Sequence, residues 1–151
     1  SEWTIKAAKK GKHILCEKPA CINYLEAKKV IDVVRNADVF YMEGFMYRCH
    51  PQISELLKLI KLNIIGNIES IYSSFGFNAG IVDPQSRLFD KNLAGGAILD
   101  VGLYPVSFCR LIAGASLGKK SINPYKIHGS ATIGKLVLMK QLTQVCILKI
   151  L

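Results

Sequence analysis

The sequence has 151 residues, of which 50% are hydrophobic and 21% charged, a balance typical of one globular domain or of parts of two. No run of about 18 uncharged apolar residues occurs, so we expect no membrane span. The N-terminal residues carry no signal-peptide core, and a cytoplasmic location is the expectation. The five cysteines are widely spaced and form no C-x-x-C pair, which argues against a disulfide framework and against a metal site.

The net charge of +9 is distributed unevenly. Residues 101–151 contain seven basic residues and no acidic one, whereas residues 1–100 contain 13 basic residues and all 11 acidic ones. A basic nucleic-acid-binding module is one interpretation of this charge. However, the basic residues are scattered and lack the interleaved aromatic residues of a single-strand binder, so we expect no nucleic-acid partner.

The first 45 residues alternate between helical and strand-like patterns. Residues 1–10 predict a helix that ends at Gly11, and Asn23 is the candidate N-cap of the next helix. Short apolar runs at residues 13–16 and 39–42 suit buried parallel strands. Helix, strand, helix, strand is the crossover pattern of a doubly wound α/β sheet. The apolar positions expected to be buried in the two helices are Trp3, Ala7, Ala8, Leu25, Val30, Ile31, Val33 and Val34.

The pattern changes near Met46. Pro51 fits the first turn of an amphipathic helix, in which Ile53, Leu56, Leu57 and Ile60 share one face. Residues 68–77 and 126–133 have strand-like patterns, and residues 78–95 predict a loop that crosses a site. A helix is expected from the Gly95–Gly96 pair to about Gly114, bent near Gly102 and Pro105.

Glu17-Lys18-Pro19 follows the first predicted strand, and ligands of open α/β sheets bind beyond the carboxyl ends of the strands. Pro19 restricts Lys18 to extended conformations, and the bond between them can be cis at modest cost. A lysine held beside a cationic nicotinamide would lose its proton more readily and could assist proton removal from a hydroxyl. The alternative is a surface Lys-Pro turn.

Asp100 and Tyr104 are four residues apart, which on a helix places both side chains on one face. An acid within an apolar helix needs a partner or a function. A tyrosine can shuttle a proton when a nearby cation stabilises its phenolate, and Lys18 is a candidate for that cation. The alternative is that Asp100 is a structural hydrogen-bonding group and that Tyr104 is a core residue.

Arg48 and Arg87 could each bind a carboxamide, a phosphate or a hydroxyl-rich substrate through the planar guanidinium, although single arginines are more often solvated surface residues. His50 precedes Pro51 and is interpreted as a helix-start residue, with a catalytic base as the alternative.

Three stretches together resemble the Gfo/Idh/MocA oxidoreductases, and within them the branch of dihydrodiol and NADP-dependent D-xylose dehydrogenases. They are GKHILCEKPA (residues 11–20), EGFMYRCHPQ (residues 43–52) and GGAILDVGLYPVSFCRLIAG (residues 95–114). The resemblance implies the C-terminal part of a Rossmann NAD(P)-binding domain over residues 1–45. It also implies an incomplete α+β domain over residues 46–151, which would bind substrate, form the dimer and contain a mostly antiparallel sheet. Within that domain, residues 136–151 no longer resemble the family.

The resemblance also implies an activity and a site. The activity is hydride transfer between NADP, or NAD, and a CH-OH group of a sugar or vicinal diol, in a protein that forms a homodimer when full-length. Lys18, Asp100 and Tyr104 would be catalytic, and cofactor contacts would come from Glu17, Lys18, Pro19, Arg48 and Arg87. The alternative is a non-catalytic NAD(P)-binding or regulatory relative.

The sequence contains no G-x-G-x-x-G motif, whose helix N-terminus binds pyrophosphate in Rossmann domains. The expectation is therefore that these residues form an internal fragment that does not hold the cofactor alone and is inactive.

Overall fold

The computed structural model describes residues 1–78, 83, 85–130, 132–133 and 139–141. The chain forms two compact units, Ser1–Met46 and Tyr47–Leu151. In the first unit, helix α1 spans Glu2–Lys9, strand β1 Ile14–Cys16, helix α2 Tyr24–Asn36 and strand β2 Tyr41–Glu43. A 3-10 turn, Met46–Cys49, lies at the border between the units.

Strands β1 and β2 form a parallel pair in which Ile14 lies opposite Tyr41 and Cys16 opposite Glu43. Helix α2 connects them, which confirms the crossover that the sequence pattern predicts. The Asn23 side chain accepts a hydrogen bond from the Glu26 backbone N–H and caps α2, also as predicted.

The core of the first unit forms where the inner faces of α1 and α2 meet the strand pair. Its buried residues are Ala8, Val30 and Val34, and half-buried Ile14, Val39 and Tyr41 are among the residues packed against them. The prediction that Trp3 is buried is wrong, since 78% of this side chain is exposed. Thr4, one residue on, occupies the inner face instead, and the Lys6 ammonium lies over the Trp3 ring, 4.7 Å from its centroid. Leu25, 75% exposed, likewise faces away from the core.

Each of the four α-helices in the described residues ends in a Schellman motif, in which the residue after the C-cap adopts a left-handed conformation. Two of these residues are the glycines Gly11 and Gly118, each with φ +67°. The other two are Asp38, with φ 50°, and Asn63, with φ 56°. At α1 the N–H groups of Gly11 and Lys12 bind the carbonyls of Ala8 and Ala7, which confirms the predicted helix end.

In the second unit, helix α3 spans Pro51–Lys61 and begins with Pro51 in its first turn, as predicted. A 3-10 turn covers Lys91–Leu93, a π-turn Ile98–Gly102 and helix α4 Leu103–Ser116. Helices α3 and α4 pack together through Ile60, Ile112 and Ala115, against which Ile68, Ile71 and Phe108 also lie.

Two predicted strands are corrected. Residues 68–78 contain no strand, and Ile68 and Ile71 both pack against the core. Since side chains alternate faces along a strand, two residues three apart could not both face inwards. The second predicted strand shrinks to β3, Thr132–Ile133, which pairs antiparallel with β4, Met139–Gln141. Within the described residues this two-stranded pair is all that corresponds to the predicted antiparallel sheet.

Helix α4 crosses another backbone segment at Gly114. A Cβ atom on Gly114 would lie 2.4 Å from the Cα and 2.6 Å from the N of Ser121. The segment is held there by the Ile122 N–H, which donates to the Arg110 carbonyl at 3.2 Å, and by the Arg110 guanidinium, which donates to the Asn123 side chain at 2.8 Å.

Together with the π-turn, α4 forms a helical run, Ile98–Ser116, that by length and composition alone could cross a membrane. Half of it is buried inside the protein, which is equally typical of a core helix.

Candidate functional site

The first group of predicted site residues lies at the carboxyl edge of the β1–β2 pair. Strand β1 ends at Cys16, and Glu17, Lys18 and Pro19 follow directly, with Lys18 and Pro19 half-buried. The Lys18–Pro19 peptide bond is cis. The Glu17 carboxylate accepts a hydrogen bond from the Lys18 backbone N–H at 3.3 Å. The lysine is thus carried on a turn immediately beyond a strand, as predicted.

Strand β2 contributes the other side of this edge. The Glu43 carboxylate accepts a hydrogen bond from the Ala20 N–H at 3.0 Å, which ties the turn to β2. The Gly44 N–H donates to the Cys16 carbonyl at 2.7 Å and continues the pairing one residue past the strands. Glu43 was not among the predicted site residues, although its position at the end of the second predicted strand could have indicated it.

Two ionisable groups near this edge in sequence, Tyr41 and Cys21, have raised pKa values. Burial raises the pKa of the Tyr41 phenol, and the neighbouring Cys16 thiol raises it further. Burial is also the main cause of the raised pKa of the Cys21 thiol, and the Glu26 carboxylate adds to it. On the outer side of α2, hydrogen bonds from the Ser1 hydroxyl and the Ile22 N–H lower the pKa of Glu26.

The edge fits the nicotinamide end of a dinucleotide but not the pyrophosphate end. A half-buried lysine stands beside backbone at the carboxyl ends of parallel strands, where such ligands bind. Gly44 packs closely against this turn, since a Cβ added there would lie 3.4 Å from the Cys16 carbonyl oxygen and 3.7 Å from both the Cα and the Cδ of Glu17. The G-x-G-x-x-G motif, whose helix N-terminus binds pyrophosphate in Rossmann domains, does not occur in the sequence.

The second group of predicted residues lies on the π-turn, on α4 and on the loop before them. The Asp100 side chain is 15% exposed, and its carboxylate lies 3.9 Å from the Arg87 guanidinium, which is 68% exposed. Asp100 belongs to the π-turn and Tyr104 to α4. Because the helix type changes between them, their spacing of four residues does not by itself place them on one face, as the sequence argument assumed. π-turns are frequent at functional sites.

Gly95 enables a tight turn between the polar loop and this helix. A Cβ there would lie 2.8 Å from each of three carbonyl oxygens, those of Arg87, Leu88 and Asp90. The Gly95 N–H binds the Asp90 carbonyl and the Gly96 N–H binds the Leu88 carbonyl, each at 2.9 Å. The turn places Arg87 next to Asp100, and it explains why the sequence has a glycine pair here.

Tyr104 lies among aromatic rings that the sequence argument did not identify. Its ring meets Tyr47 with a centroid separation of 6.1 Å and Phe75 with one of 5.4 Å, both edge to face. The Tyr47 hydroxyl lies 2.9 Å from the Ser107 hydroxyl. A buried serine in an apolar helix needs a partner, and this was the one signal that could have pointed to the contact.

Arg48 and His50, the remaining candidates, have local partners. The Arg48 guanidinium donates to the Ser107 hydroxyl at 3.1 Å and lies over the Tyr47 ring, 5.9 Å from its centroid. The His50 imidazole accepts a hydrogen bond from the Gln52 N–H and caps α3, in agreement with its interpretation as a helix-start residue. Within the residues that the structure describes, no three metal-ligating side chains come together.

Comparison with known proteins identifies relatives. Residues 1–45 match the model of the Gfo/Idh/MocA family, described as an oxidoreductase family with an NAD-binding Rossmann fold. The D-xylose 1-dehydrogenase (NADP(+)) 2 of Haloferax volcanii is 39% identical over 76% of this chain and 34% of its own length. The trans-1,2-dihydrobenzene-1,2-diol dehydrogenase of Xenopus tropicalis is 36% identical over 68% of this chain and 30% of its own length.

Among solved structures, levoglucosan dehydrogenase in complex with NADH is similar, with a TM-score of 0.64 and 32% identity over 74% of this chain and 31% of that one. The chain therefore spans about a third of the length of these relatives. The matches confirm the resemblance that the three motifs carry: the chain is related to the Gfo/Idh/MocA oxidoreductases, and residues 1–45 correspond to their NAD-binding Rossmann fold.

Proposed function

We propose that this protein is an oxidoreductase that transfers a hydride between NADP and a CH-OH group of a sugar or vicinal diol. The proposal rests above all on the position of Lys18, on a turn directly beyond the carboxyl end of a parallel strand. Two relatives support the class of substrate, since their names specify D-xylose and a dihydrodiol. We propose NADP because the first of these names specifies NADP(+). NAD is the alternative, because the similar solved structure is a complex with NADH.

The proposed roles follow the chemistry of each side chain. A bound nicotinamide supplies the hydride acceptor or donor. Tyr104 transfers the proton of the substrate hydroxyl, and the Lys18 ammonium assists proton removal by stabilising negative charge. Asp100 orients the substrate hydroxyl as a hydrogen-bond acceptor, and the Arg87 guanidinium lies 3.9 Å from its carboxylate.

We further propose the domain roles that the resemblance implies: residues 1–45 contribute to cofactor binding, and residues 46–151 contribute to substrate binding and dimerisation. Glu17, Lys18 and Pro19 would line the nicotinamide. Arg48 and Arg87 stay proposed contacts to cofactor or substrate. Each has a partner in the protein, since the Arg48 guanidinium donates to Ser107 and the Arg87 guanidinium lies 3.9 Å from the Asp100 carboxylate.

The decisive experiment is turnover by the protein expressed from its own gene, assayed with NADP against a panel of pentoses and vicinal diols. Lys18→Met should lower kcat by about 100-fold or more, the usual contribution of a positioned proton-transfer group. Lys12→Met is the matched control, because Lys12 is an exposed lysine of the same unit, and it should leave kcat unchanged. If Lys18→Met retains full turnover, the catalytic assignment fails. If the wild-type protein binds NADPH but turns over nothing in the panel, the non-catalytic alternative holds.

We also propose that these 151 residues bind NADPH weakly by themselves, because they contain no G-x-G-x-x-G motif to hold the pyrophosphate. Titration of the chain with NADPH, followed by nucleotide fluorescence, should show no saturation at micromolar concentration. Micromolar or tighter binding would refute this part of the proposal and leave the assignment of Lys18 to be judged by its own variant.

A further inference from the structure

The buried Ser107 hydroxyl joins two neighbouring residues to helix α4. This side chain is 8% exposed, and its oxygen lies 2.9 Å from the Tyr47 hydroxyl and 3.1 Å from the Arg48 guanidinium nitrogen that donates to it. Because a guanidinium can only donate, the Ser107 oxygen accepts from Arg48 and still has a hydrogen and a lone pair with which to meet Tyr47. A charged donor makes this a stronger anchor than a neutral pair would be.

The Tyr47 ring lies edge to face with two rings of α4. Its centroid is 6.1 Å from that of Tyr104, with an interplanar angle of 67°, and 6.2 Å from that of Phe108, with an angle of 63°. These are the separations and angles that aromatic pairs prefer. Phe75 contacts the Tyr104 ring as well, at 5.4 Å and 76°. The Tyr104 ring is thus restrained by at least two others.

The two sets of contacts meet on one helix turn. Ser107 follows Tyr104 by three residues on α4, so the two side chains are neighbours on the helix surface. Tyr47 is held at its hydroxyl by Ser107 and touches the Tyr104 ring with its own ring. A side chain fixed at two points transmits its orientation to whatever it packs against, since a flat ring held at one end has little freedom to tilt.

We propose that Tyr47 is a positioning residue that sets the orientation of the Tyr104 ring and is itself held by the Ser107 hydroxyl. This inference rests on the proposed function, in which Tyr104 transfers the substrate proton. Tyr47 acts through Tyr104 and takes no part in the proton transfer. Loss of its hydroxyl releases the Tyr47 ring and lets the Tyr104 ring move, while the substrate-binding groups stay in place.

The hydrogen bond between Tyr47 and Ser107 can be removed from either side, by Tyr47→Phe or by Ser107→Ala. Each should lower kcat by about three- to tenfold, because a small misplacement of a reacting group lowers the rate more than the binding. Tyr47→Phe, which leaves the hydrogen bond from Arg48 to Ser107 in place, should also change KM by less than about twofold. Tyr47→Leu, which also removes the ring, should lower kcat by about 100-fold. Tyr125→Phe is the matched control, since it removes the same hydroxyl from a tyrosine that is 80% exposed.

A second measurement follows Tyr104 directly and needs neither cofactor nor turnover. In protein with carbon-13 in its tyrosine rings, the Tyr104 signal is assigned by its loss in Tyr104→Phe, and its ring-flip rate is measured by nuclear magnetic resonance. The rate should rise by about tenfold or more in Tyr47→Phe and in Ser107→Ala and stay unchanged in Tyr125→Phe. If Ser107→Ala does not fold, Tyr47→Phe answers the question alone.

The results separate the inference from the proposed function. An unchanged Tyr104 flip rate in Tyr47→Phe overturns the positioning role, even if kcat falls. Full turnover in Tyr104→Phe refutes the proposed proton-transfer role of Tyr104, and with it any catalytic positioning by Tyr47. Faster ring flips together with a kcat-specific loss support both.

Discussion

Replacement of Gly114 by alanine tests the close approach of helix α4 to the backbone of Ser121. The added Cβ would lie 2.4 Å, 2.6 Å and 2.9 Å from the Cα, N and C atoms of Ser121. All three are backbone atoms, so no side chain can rotate away to relieve the overlap. To reach an ordinary contact of 3.4 Å, Ser121 would have to retreat from the helix by about 1 Å.

The retreat breaks hydrogen bonds on both sides of Ser121. The Lys119 N–H donates to the Gly114 carbonyl at 2.8 Å in the Schellman motif of α4, and the Ile122 N–H donates to the Arg110 carbonyl at 3.2 Å. Each bond contributes about 1 kcal/mol, and overpacking a filled contact costs about 1–3 kcal/mol. Alanine recovers about 1 kcal/mol of helix propensity over glycine. The expected net loss is about 2–4 kcal/mol in the free energy of unfolding of the second unit.

The assay is urea unfolding followed by circular dichroism, combined with hydrogen exchange of the α4 amides resolved by mass spectrometry. Exchange is the sharper probe, because it reports on the second unit even if the two units unfold separately. Gly129→Ala is the matched control: nothing lies within 4 Å of its added Cβ, and its stability should change by less than about 0.5 kcal/mol. If Gly114→Ala is as stable as the wild type, helix α4 and Ser121 do not approach as closely as described.

Three further predictions concern local structure. Gly95→Ala should displace the 87–96 loop, because its Cβ would lie 2.8 Å from three carbonyl oxygens; faster hydrogen exchange at Gly95 and Gly96 would show this, and unchanged exchange would contradict it. Asp38→Gly should stabilise the first unit by about 1 kcal/mol in urea unfolding, since Asp38 has φ 50° and glycine adopts this conformation without strain, whereas Asp38→Ala should not stabilise it. Stability should fall as the pH rises above about 8.5, because the unfolded chain then loses the Cys21 proton while the raised pKa keeps the folded thiol protonated to higher pH. Tyr41 should add to the loss above about pH 10 for the same reason. Urea unfolding curves that do not change between about pH 7 and 10 would refute the Cys21 shift, and curves that do not change between about pH 10 and 11 would refute the Tyr41 shift.

Local sequence signals predicted local structure well. Gly11, Asn23 and Pro51 each act through the conformation of one or two residues, and each begins or ends a helix where expected. The parallel pairing of β1 and β2 was also predictable, because a helix between two short apolar runs leaves few other topologies. Trp3 shows the limit of this reasoning: a helix pattern identifies an apolar face, but in an eight-residue helix a rotation of one position exchanges Trp3 for Thr4.

The residues of the candidate site likewise fall into those whose position follows from local sequence and those whose surroundings depend on distant residues. Lys18 was predictable because its position depends only on the end of one strand. The surroundings of Tyr104 depend on Tyr47 and Phe75, which lie far from it in sequence and carry no motif of their own. The π-turn could not be predicted from the sequence, because the spacing from Asp100 to Tyr104 fits a regular α-helix equally well.

Ser107 shows how such a site could be found from sequence. It is the buried polar residue of a mostly apolar helix, and a buried hydroxyl without a partner is costly. Its presence therefore implies that a polar group from elsewhere in the chain reaches α4 one turn after Tyr104. In the structure two adjacent residues, Tyr47 and Arg48, do so. A buried polar residue in a mostly apolar helix is thus a sign of a long-range contact, and here that contact lies next to Tyr104, for which we propose the proton transfer.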